Sequence, residues 1–109
     1  MAQKFLEKNK YEIIKKNYFA GKSGEIDLIA KKENILHFVE VKARTNKSFG
    51  WPEESVSKTK LKKIVLCAQD YLLKNELDNL WQIDVVAVCL NLKSRQAKLW
   101  LIKNIYIDN

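Results

Sequence analysis

The stretch 24–44, GEIDLIAKKENILHFVEVKAR, restricts the fold more than any other part of the chain, because it places charge inside strand-like alternation. Glu25 and Asp27 share one parity, and Ile26, Leu28 and Ala30 share the other, as expected where successive side chains point to opposite faces. In the second half Leu36, Phe38, Glu40 and Lys42 share one parity, against Ile35, Val39, Val41 and Ala43 on the other. Only a short polar connection, Lys32-Glu33-Asn34, separates the halves, which predicts an antiparallel hairpin. A two-residue turn at Glu33-Asn34 pairs Lys32 with Ile35, and a four-residue loop keeps that register. A three-residue turn would shift it by one.

Carried along the hairpin, this register sets Asp27 opposite Glu40 and Glu25 opposite Lys42. Opposed Cβ atoms lie roughly 5 Å apart, and like charges placed so repel. Two facing carboxylates either share a proton or bind a cation. Lys42 beside Glu25 supplies one positive charge, and a divalent metal at Asp27 and Glu40 would supply the rest. The other reading is a solvated hairpin face on which Glu25 and Lys42 simply pair. Acid-x-Lys spacing alone discriminates little, since chance placement of 13 acids and 18 lysines in 109 residues yields roughly two such pairs. The information lies in the combination of an acid at matching parity on one strand with acid-x-Lys on the next.

The rest of the chain reads as alternating elements around that hairpin. Residues 1–9 resemble the end of an amphipathic helix, with Ala2, Phe5 and Leu6 on one side. Residues 11–19 predict a strand, though Tyr11 and Ile13 against Ile14 give it mixed parity. A glycine-bracketed turn, Gly21 to Gly24, leads into the acidic strand. The polar segment 45–52 breaks both periodicities; its Phe49 and Trp51 would either stack on a base or cover the core, and Glu53 and Glu54 follow. A helix is then marked by Leu61, Ile64, Val65, Ala68, Tyr71 and Leu72, with Ser57 as its N-cap. Residues 81–90 predict an interior strand, apolar on both faces beyond Asp84 and reached by a crossover parallel to the Glu40 strand. A last strand is expected over 98–103, docked by Tyr106 and Ile107.

A chain of 109 residues at 47% apolar content predicts one domain, 1–109, with a single modest core. Its net charge of +7 suits a polyanionic partner. Lys58, Lys60, Lys62 and Lys63 crowd the start of the second helix, where the helix dipole disfavours cations, so phosphate contact or a solvated lysine face are the two readings. With 18 lysines against two arginines, contacts to the nucleic-acid backbone are expected rather than base reading. The charged first ten residues lack a signal-peptide h-region and the longest apolar run is 85–90, so a cytoplasmic location and no membrane partner are expected. Cys67 and Cys89 are expected as two buried thiols, and His37, on the face opposite Glu40, as a packed or edge histidine.

Gly24-Glu25-Ile26-Asp27-Leu28-Ile29-Ala30, Phe38-Val39-Glu40-Val41-Lys42-Ala43-Arg44 and Phe49-Gly50-Trp51-Pro52-Glu53-Glu54 together resemble the YraN-like bacterial proteins, a branch of the PD-(D/E)XK nuclease superfamily. The resemblance implies an α/β fold with a restriction-endonuclease-like αβββαβ core, a central mixed sheet flanked by helices. It further implies Asp27 and Glu40 as ligands of Mg²⁺ or Mn²⁺ and Lys42 as the catalytic lysine. The Val41 carbonyl is expected as a further metal ligand, Glu25 as the residue that orients Lys42, and Arg44, Lys58, Lys60, Lys62 and Lys63 as nucleic-acid contacts. Relatives carry an acid on the first helix three residues before the position of Ala2, and this chain begins at Met1 without it. The expected function is metal-dependent phosphodiester hydrolysis on DNA before RNA, with branched or otherwise structured DNA suggested by resemblance to resolvase-like nucleases. The alternative, favoured by the missing acid, is a nucleic-acid-binding module without catalysis. A homodimer is left open.

Overall fold

The computed structural model describes residues 1–45 and 57–105. Helix α1 (Ala2–Lys8) leads into strand β1 (Glu12–Phe19), and a 3-10 turn (Gly21–Ser23) delivers the chain to β2 (Glu25–Lys32) and β3 (Ile35–Thr45). Helix α2 (Lys58–Lys74), β4 (Trp81–Asn91) and β5 (Gln96–Ile102) complete the order. The result is an α/β fold: five strands form one mixed sheet in the order β1-β2-β3-β4-β5, antiparallel except for the β3/β4 pair.

The β2/β3 hairpin turns on two residues, Glu33 and Asn34, both with left-handed backbones at φ 52° and 66°. Two successive left-handed residues match the right-handed twist of the strands, so the tight turn is accommodated although neither residue is glycine. Lys32 accordingly pairs with Ile35, Ala30 with His37 and Leu28 with Val39. The mixed parity of the first strand also has a cause: the β1/β2 register slips between Ile13 and Lys15, making Ile14 the extra residue of a bulge and leaving it exposed.

Each face of the sheet carries its own core. On one face Ala2 and Leu6 of α1 pack with Tyr11, Leu28, Ala30, Val39, Val86 and Val88. On the other, Leu61, Ile64, Cys67, Ala68 and Tyr71 of α2 cover Ile26, Ile29, Leu36, Phe38, Ile83 and Val85. Phe38 is fully buried and meets Trp81 and Tyr71 edge to face at centroid distances of 5.6 and 6.0 Å. Ser57 caps α2 by accepting from the Lys60 backbone N–H at 3.1 Å, and the segment from β3 through α2 returns as β4 in parallel, Glu40 standing beside Val85.

Two expectations about these elements need revision. Cys67 is buried but Cys89 is only half-buried, because it lies on β4 beyond the α2 core. The last strand starts two residues before the expected 98, since the ladder continues to Asn91 opposite Gln96. The α2 stripe includes Cys67, fully buried, and its thiol donates to the Ser23 carbonyl at 3.3 Å, pinning the helix over the 3-10 turn. Phe49, Trp51, Glu53, Glu54, Tyr106 and Ile107 lie outside the described residues. Among the described residues no helix is long and apolar enough to cross a membrane.

Candidate functional site

The β2/β3 ladder stops short of the acids. Its last pair is Leu28 with Val39, and beyond it the Asp27 carboxylate takes over from the backbone: Asp27 Oδ2 accepts from Val41 N–H at 2.8 Å. The alternation of β2 breaks at the same point, with Ile26 in the α2-side core and Leu28 in the α1-side core. The two strands therefore fork at Asp27. Within an extended strand a residue's N–H and C=O point to the same neighbour, so the Val41 carbonyl faces the same opening as its N–H.

Glu40 stands on the α2 face of β3, following Leu36 and Phe38, and only 6% of its side chain is exposed. Burial, and then the negative charge of Asp27, push its carboxyl above the usual range against the opposing pull of Lys60 and Lys42. Both ammonium groups approach the same oxygen, Lys42 Nζ at 3.8 Å and Lys60 Nζ at 3.6 Å from Glu40 Oε1. Asp27, Glu40, Lys42 and Lys60 thus form one cluster of two negative and two positive charges.

The sequence reading brings together Asp27, Glu40, Val41 and Lys42, and these the structure does gather. Glu25 is different. Because the ladder ends at Leu28, its register does not carry to Glu25, which instead pairs with Phe19 of β1 and is exposed. Among the described residues no ion pair joins it to Lys42. Arg44 is exposed, its Nη1 donating to the Ala43 carbonyl at 3.3 Å, and Lys58, Lys62 and Lys63 are exposed along the start of α2. Lys60 leaves that row and turns to Glu40. Sequence reasoning grouped it with the phosphate contacts; the available signal was its position one residue before Leu61, which α2 presses onto the face that carries Glu40.

A second buried polar group lies on the α1 face, where His37 Nδ1–H donates to Asp84 Oδ2 at 2.6 Å. Asp84 also accepts from Gln82 Nε2 at 2.8 Å and from the Asn104 backbone N–H at 2.9 Å. Burial pushes its carboxyl up, but the bonds from His37, Asn104 and Gln82 outweigh this and hold it below the usual range. His37 is packed, as expected, with the Tyr11 ring edge-on at 4.9 Å. Asp84, the one acid in β4, is its partner, and both of its carboxylate oxygens accept hydrogen bonds inside the fold. This group holds β3, β4 and the segment after β5 together.

Among the described residues no three His, Cys, Asp or Glu side chains gather as a metal-binding group. What the fork offers is two carboxylates and one main-chain carbonyl. Such an all-oxygen set fits a hard divalent cation of the Mg²⁺ kind, which binds through one or two carboxylates and keeps several waters. The buried, charge-crowded Glu40 is the observation behind that fit, since its environment favours a neutralising cation or a proton.

The sequence model of the uncharacterised protein family UPF0102 matches residues 1–88. A UPF0102 protein of Chloroherpeton thalassium is 43% identical over 98 residues, covering 89% of this chain and 75% of its own length. One of Clostridium beijerinckii is 42% identical over 107 residues, covering 97% and 86%, and one of Clostridioides difficile is 51% identical over 80 residues, covering 72% and 69%.

Proposed function

The chain belongs to the uncharacterised protein family UPF0102, and from that premise we propose that it is a metal-dependent phosphodiesterase of the nuclease kind, acting on DNA. The observation that carries this reading is the fork: a buried Glu40, crowded by Asp27, at the point where the Asp27 side chain replaces a rung of the β2/β3 ladder. The element order α1-β1-β2-β3-α2-β4 supports a restriction-endonuclease-like arrangement of the PD-(D/E)XK type, in which acid and acid-x-Lys stand on adjacent strands.

Asp27 and Glu40, with the Val41 carbonyl, would hold Mg²⁺ or Mn²⁺. When bound, the ion would supply Lewis-acid polarisation of a phosphoryl oxygen and acidify a bound water. Lys42, whose ammonium lies 3.8 Å from Glu40 Oε1, would orient the attacking water or stabilise charge on the phosphoryl oxygens. Exposed Lys58, Lys62, Lys63 and Arg44 would follow the sugar-phosphate backbone without reading bases.

A catalytically silent nucleic-acid-binding module is the second reading. It is favoured by the two ammonium groups on Glu40, which already balance the two acids without an ion. Linear, flapped and four-way DNA, each incubated with Mg²⁺ or Mn²⁺, separates the two. Cleavage by the wild type that falls at least about a hundredfold in Lys42→Ala supports the enzyme. Equal cleavage by both, or binding without cleavage, refutes it.

A further inference from the structure

Lys60 is the third residue from the start of α2's capped first turn, and its ammonium is spent on a residue of another element. Ser57 Oγ accepts from the Lys60 backbone N–H at 3.1 Å, so the main chain at this point is held. The side chain is not: 40% of it is exposed, whereas Glu40, its partner, is 6% exposed. Of the two ends of this ion pair, only the lysine is free to leave.

Its position carries a standing electrostatic cost. A cation in the first turn of a helix faces the positive end of the dipole, and exposed Lys58, Lys62 and Lys63 crowd the same turns. Proximity to Glu40 offsets part of that cost while no divalent ion occupies the fork. The cluster of Asp27, Glu40, Lys42 and Lys60 is balanced as it stands, so a divalent ion entering it adds two uncompensated positive charges. Lys42, less exposed at 27% and carried on the same strand as Glu40, has little room to withdraw. Lys60 has solvent beside it and the lysine row of α2 behind it.

We propose that Lys60 is an exchangeable counter-ion, which neutralises Glu40 in the metal-free protein, gives way when a divalent cation binds, and then contacts a backbone phosphate of bound DNA. This rests on the metal-site reading above. It makes metal binding and phosphate binding mutually reinforcing, because the ion releases the cation that the phosphate takes, and such coupling is reciprocal.

The test uses the full chain as wild type, Lys60→Gln, Lys60→Arg and Glu40→Gln, with Mn²⁺ alone as the probe and calorimetry as the readout. Lys60→Gln binds Mn²⁺ about two- to fivefold more tightly than wild type, the range of one partly exposed ion pair. Lys60→Arg, which keeps the charge, stays at the wild-type value. Glu40→Gln abolishes binding. A duplex titration across salt concentrations, with and without Ca²⁺, gives the second arm: Ca²⁺ steepens the wild-type slope by about one and leaves that of Lys60→Gln unchanged. If Glu40→Gln abolishes Mn²⁺ binding while Lys60→Gln leaves it unchanged or weaker, the exchange is wrong and the metal site stands. If Mn²⁺ fails to bind wild type, or binds Glu40→Gln equally, the metal site itself is wrong. A wild-type slope indifferent to Ca²⁺ overturns the transfer to phosphate.

Discussion

Replacing Asp27 by alanine and by asparagine separates what this residue does for the fold from what it does for chemistry. Both substitutions remove the negative charge that crowds Glu40, so that relief is common to both and cancels in the comparison. They differ at Val41, whose N–H donates to Asp27 Oδ2 at 2.8 Å. The asparagine carbonyl accepts the same bond, whereas alanine leaves the N–H without it. An orphaned backbone donor costs about 1–3 kcal/mol, and because Asp27 is half-buried the lower part of that range applies, about 1–2 kcal/mol. For a chain of this size that is a difference of about 4–8 °C in melting temperature, Asp27→Ala below Asp27→Asn. Circular dichroism melts measure it, and the same preparations are assayed for DNA cleavage. Both variants lose cleavage, the asparagine one while remaining folded. Melting temperatures within about 1 °C of each other would show that the carboxylate does not stand in for a ladder rung, and cleavage surviving in Asp27→Asn would remove the residue from the ligand set.

Other perturbations follow from the same geometry. Changing Lys62 and Lys63 together to glutamine flattens the salt dependence of duplex binding by about two if each meets a phosphate, and an unchanged slope assigns that face to solvent. Asp84→Ala, which orphans His37, Gln82 and the Asn104 N–H together, destabilises by about 3 kcal/mol in urea denaturation, and a loss under about 1 kcal/mol would refute the clamp. Because Asp84 is held below its ordinary value of 3.8, its contribution to stability is present above that pH and is lost as pH falls further. Wild type therefore loses stability faster than Asp84→Asn on acidification below about pH 4, measured by denaturation midpoints across pH. Tyr18 donates to Asp70 Oδ2 at 2.7 Å, and this bond, with burial, pushes its phenol to about 12. Its contribution is complete below pH 10 and fades as pH rises towards 12, so ultraviolet titration shows a tyrosine ionising at about 12 that Tyr18→Phe removes.

What was legible in the sequence follows distance along the chain. The hairpin register could be read because two turn residues and strand alternation are local facts, and Lys32 does pair with Ile35. The irregular β1 was visible as clashing parity at Ile13 and Ile14, and a bulge is its cause. The fork was not visible, since nothing within β2 marks where twist pulls the two strands apart; hence Glu25 was assigned to Lys42. The meeting of Lys60 with Glu40 depends on how α2 docks, and that of His37 with Asp84 on the parallel register set by the crossover. Both involve residues that stood out singly, a lysine at a helix start and an acid in an apolar strand, while their partners lay 20 and 47 positions away in the chain.

The substitution of a carboxylate for a rung between β2 and β3 has one more effect, on alignment. A slip of a single position would turn Asp27 to the opposite side of its strand, strand the Val41 N–H, and carry Ile29 out of the α2-side core in the same movement. The hairpin is thereby locked at its open mouth as well as at its closed tip, so the spacing of the acids is inherited from the path of the main chain and owes nothing to the surface around it.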